Sequence, residues 1–140
     1  MRRQQPIIVG YDGSDESRGA LLWALREAAP DQPLKLVAVL GHEPSPLPVL
    51  SHVPGPPDEV DRVARRIAER WNEDGQALDH VIDLEFTRGH PAETLAQIAR
   101  DERAEMIVVG HRHHRTLAPL RASVASDLTR IAGCPVVVVP

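Results

Sequence analysis

Four segments of this chain are apolar at consecutive positions rather than alternate ones: Ile7–Val9, Leu34–Leu40 with Lys35 the one interruption, Met106–Val109 and Val136–Val139. A strand apolar on both faces must be covered on both faces, which is the pattern of a parallel sheet between helices. The intervening segments supply the helices. Ser14 suits an N-cap, and Asp15 and Glu16 complement the dipole of the first turn. Ala20, Leu21, Ala24, Leu25 and Ala28 then fall on one helical stripe, and Pro30 stops the helix. A second stripe, Val60, Val63, Ala64, Ile67 and Trp71, spans about Asp58 to Asp74 opposite Arg62, Arg66 and Glu69. Pro91 opens a third helix carrying Leu95, Ile98 and Ala99. Ser123–Ala132 is the last, with Val124, Leu128 and Ile131 turned inward. This alternation predicts one α/β domain over residues 1–140, a parallel sheet with right-handed crossovers.

Composition narrows the function classes. Aromatic residues are 3% of the 140, so the core is aliphatic and the stacking platforms of single-strand nucleic-acid binders are not built here. A formal net charge of −4 gives no general attraction to nucleic acid or to an anionic membrane. No apolar run is long enough to span a bilayer, the N-terminus shows no apolar signal region, and the single cysteine, Cys134, has no internal partner. These features predict a cytoplasmic protein. Cys134, before Pro135 and an apolar strand, reads as a small hydrophobe rather than a nucleophile. Trp23 and Trp71 read as packing residues, and His90 before Pro91 as turn punctuation. Six prolines between Pro44 and Pro57 mark a loop.

Two strands carry edge signals. Val81–Thr87 alternates Ile82, Leu84 and Phe86 with Asp83 and Glu85, so one face sees water and the strand belongs at an edge. Val136, Val137, Val138 and Val139 are apolar on both faces, yet the last strand of such a sheet is normally an edge. Either a second copy covers it, which is the reading we favour, or it lies inside the sheet or under a loop.

Three stretches together resemble the universal stress protein family. They are Ile7–Ser14 with Ser17 and the Ala20–Leu25 helix; Gly89-His90-Pro91-Ala92-Glu93 through Ala104–Gly110; and Ser123-Val124-Ala125-Ser126 through Ala132–Val138. The resemblance implies a Rossmann-like, adenine nucleotide α-hydrolase-like fold: one open parallel sheet of five strands, order 3-2-1-4-5, with helices on both faces. It also implies homodimers formed through the last strand, and regulators of stress survival more than efficient catalysts. That strand order sets a ligand crevice between strands one and four. By resemblance, Asp12 contacts a nucleoside there and the backbone at Val39 meets adenine. Asp12 equally suits a local cap of the Gly13–Ser14 turn.

The phosphate loop departs from the family pattern of Gly, two residues, Gly, nine residues, Gly and Ser or Thr. Gly110, Ser123 and Val124 stand in place, but His113 and Ala122 replace the other glycines, with eight residues between them. Glycine matters in such loops because backbone N–H groups must approach phosphate closely, often at positive φ. Arg112, Arg115 and Arg121, with His111, His113 and His114, form a local basic cluster. It reads as a solvated loop, as a side-chain grip on phosphate, or, least of the three, as a metal site, since no carboxylate or cysteine stands at ligand spacing.

No nucleophile–base order or paired carboxylates sit at strand ends, so no catalytic residue is assigned. The expectation is a dimeric, non-catalytic stress regulator whose degenerate crevice holds ATP weakly or not at all. The alternative is an ATP switch using Asp12, Val39, Gly110, Ser123 and Val124 with the basic loop, Mg accompanying ATP, and slow ATPase activity.

Overall fold

The computed structural model describes residues 4–41, 65, 69, 82–111 and 124–140. The Pro44–Pro57 loop and most of the Asp58–Asp74 helix lie outside them; of that helix, Arg65 and Glu69 are described, helical and exposed. The described elements are β1 (Ile7–Gly10), α1 (Asp15–Glu27), β2 (Leu34–Gly41), β3 (Ile82–Gly89), α2 (Pro91–Glu102), β4 (Met106–Gly110), α3 (Val124–Ile131) and β5 (Val136–Val139). All strand pairs are parallel, in the order β3-β2-β1-β4-β5.

Successive side chains of a strand point to opposite faces, and the consecutive apolar runs therefore feed two cores. On one face Ile7, Val9, Leu34, Leu36 and Val108 pack with Ala20, Leu21 and Ala24 of α1. On the other, Ile8, Val37, Ile107 and Val109 pack with Leu95, Ala96 and Ala99 of α2 and Leu128 of α3. Ile8, Val9, Leu36, Ile107, Val108 and Leu128 are fully buried, each stabilising by about 1.5–3 kcal/mol over an exposed side chain.

Both edge strands fall where the alternation and the resemblance put them, with β3 at one edge and β5 at the other. Three details differ from the sequence reading. β3 continues past Thr87, because its backbone pairs with β2 as far as Gly41↔Gly89, and such pairing needs no apolar side chain. Phe86, expected inward, is 39% exposed: it stands on an edge strand opposite the small side chain of Ala38. Ile131, also expected inward, is 38% exposed, as the last residue of α3, where the helix ends. Among the described residues no helix is long and apolar enough to cross a membrane.

Candidate functional site

The turn after β1 is held by its own polar side chains. Tyr11 N donates to Val37 O at 3.0 Å, the last bond from β1 toward β2. Asp12 Oδ1 then accepts from Ser14 N at 2.9 Å, closing an Asx turn in which Gly13 has φ +78°. Ser14 caps α1, its Oγ accepting from Ser17 N at 3.2 Å. Ser17, nearly buried, donates its hydroxyl to Ser14 O at 3.0 Å and accepts from Asp12 N at 3.2 Å. The local-cap role of Asp12 is thus seen directly, at the carboxyl end of β1. Ser17 is the hub of this turn, a role that sequence reasoning missed although the Ser14-x-x-Ser17 spacing carries it.

Val39 occupies a step in the sheet. The β1–β2 register ends at Gly10↔Val37, whereas β2 runs on with β3 to Gly41↔Gly89. Val37 O faces β1, and Val39, two residues on, turns its backbone N–H and C=O the same way, past the last paired residue of β1. Its side chain packs on the core beneath α2 and α3. Thr87, its register partner on β3, lines an open cleft of about 550 Å³ between β3 and α2.

Gly110 ends β4 against α1. A Cβ placed on it would lie 2.5 Å from the carbonyl carbon of Glu16 and 2.9 Å from Glu16 Cβ, closer still to the Glu16 carbonyl oxygen. His111 is exposed, and its N–H donates to Val139 O at 2.7 Å, carrying the β4–β5 ladder one residue further. Val124 opens α3, half-buried against the same core as Val39. The structure thus gathers Asp12, Val39 and Gly110 at the carboxyl ends of neighbouring strands. Arg112, His113, His114, Arg115, Arg121, Ala122 and Ser123 lie outside the described residues.

At the far edge, Val137 and Val139 pack toward the α1 core and Val136 toward the other, while Val138 is 37% exposed. Cys134 is half-buried against the α2–α3 core, and burial raises its thiol pKa, which lowers thiolate content. Trp23 packs, partly buried, on the α1 core.

The model of the universal stress protein family matches residues 4–140. A universal stress protein of Mycobacterium tuberculosis is 32% identical over 145 residues, covering 99% of this chain and 48% of the relative. The chain spans about half the length of the mycobacterial relatives it matches. Among solved structures, a universal stress protein in complex with cAMP superposes with a TM-score of 0.70 at 23% identity, covering 99% of both chains. The universal stress protein of Archaeoglobus fulgidus in complex with dAMP does so with 0.71 at 22% identity, covering 99% of this chain and 100% of the other. Sheet order, paired cores and a match along nearly the whole sequence agree, and the chain belongs to the universal stress protein family.

Proposed function

We propose that this chain forms one universal stress protein domain over residues 1–140, a non-catalytic cytoplasmic regulator that dimerises through β5. Its crevice holds an adenine nucleotide mainly by the nucleoside, and ATP weakly or not at all. The observation that carries this reading is the step at Val39. A backbone N–H and C=O side by side, turned past the end of β1, match the paired donor and acceptor on the edge of adenine. Asp12 stands at the neighbouring strand end, where a ribose hydroxyl would need an acceptor. The cAMP and dAMP complexes of two proteins with this fold support the same class of ligand.

Thermal melting with and without adenosine, AMP and Mg-ATP tests the proposal. Ligand at a hundred times its Kd stabilises by about 2.7 kcal/mol. A rise in Tm with at least one adenine compound is expected; no shift with any of them at millimolar concentration overturns the nucleotide reading. Phosphate released from ATP over hours, and lost in Asp12→Ala, would instead favour an enzyme.

A further inference from the structure

We draw no further inference here: the strongest candidate, the open cleft between β3 and α2, carries none, because its Glu85 pairs with Lys35, its Gln97 and Arg100 bond to each other, and nothing in the structure shows what fills it.

Discussion

Gly110 and the backbone of Glu16 leave no room between them: the first turn of α1 lies where any side chain at the end of β4 would stand. The obstacle is main chain on a packed helix and cannot swing aside. Gly110→Ala is expected to cost about 2 kcal/mol, as other overpacking changes do. Urea denaturation in the absence of nucleotide checks this. An unchanged midpoint would mean that α1 yields freely and that this glycine serves the loop alone.

Arg103 ends α2 in the left-handed region, at φ 52° and ψ 50°, and its N–H bonds back to the carbonyls of Ala99 and Arg100. Glycine adopts that conformation without a Cβ penalty. Arg103→Gly is expected to stabilise the protein by about 0.5–1 kcal/mol, partly offset by the greater freedom of the unfolded chain. The measurement is a shift of the denaturation midpoint to higher urea.

Lys35 Nζ lies 2.8 Å from Glu85 on β3 and 2.8 Å from Glu102 on α2, tying three elements together. Hydrogen bonds to Glu102 and then Glu85 raise its pKa above the ordinary lysine value, against the desolvation that lowers it. A folded pKa raised above the unfolded one gives stability that is complete below the unfolded value and lost only as pH climbs through the folded one. Lys35→Met, which keeps the apolar stem, is expected to cost about 1 kcal/mol because both partners are well exposed. The cost should be the same at pH 7 and pH 9, measured as the stability difference from wild type at each pH.

The two sheet edges carry opposite chemistry. β3 presents Asp83, Glu85 and Arg88, charges that discourage strand addition, whereas β5 is all valine and carries no charge, with Val138 exposed. Under the proposed dimer, wild-type protein sediments as a dimer at micromolar concentration, and Val138→Lys sediments as a monomer that remains folded. A monomeric wild type would refute the use of β5.

The sheet was legible because consecutive apolar runs admit few other folds, and Asp83 and Glu85 marked β3 as an edge. The turn at Ser14 was legible from its capping chemistry. Glu16 beside Gly110 was not, because a backbone contact between residues far apart leaves no side-chain signature. Arg103 likewise carries no sign of its left-handed conformation, which glycine usually advertises. Phe86 and Ile131 fit their stripes, yet a stripe says nothing of where its cover stops. At the crevice, the family resemblance pointed to Asp12 and Val39, while the step that turns the Val39 backbone past the end of β1 depends on the strand register and emerges only in three dimensions.

That step has an evolutionary consequence. Groups belonging to the main chain survive almost any replacement at position 39, so this part of the crevice is nearly immune to mutational drift. Proline, which lacks the N–H, is the exception. Under the proposed adenine contact, divergence at this position is a poor guide to lost ligand binding; strand length and pairing carry the information instead.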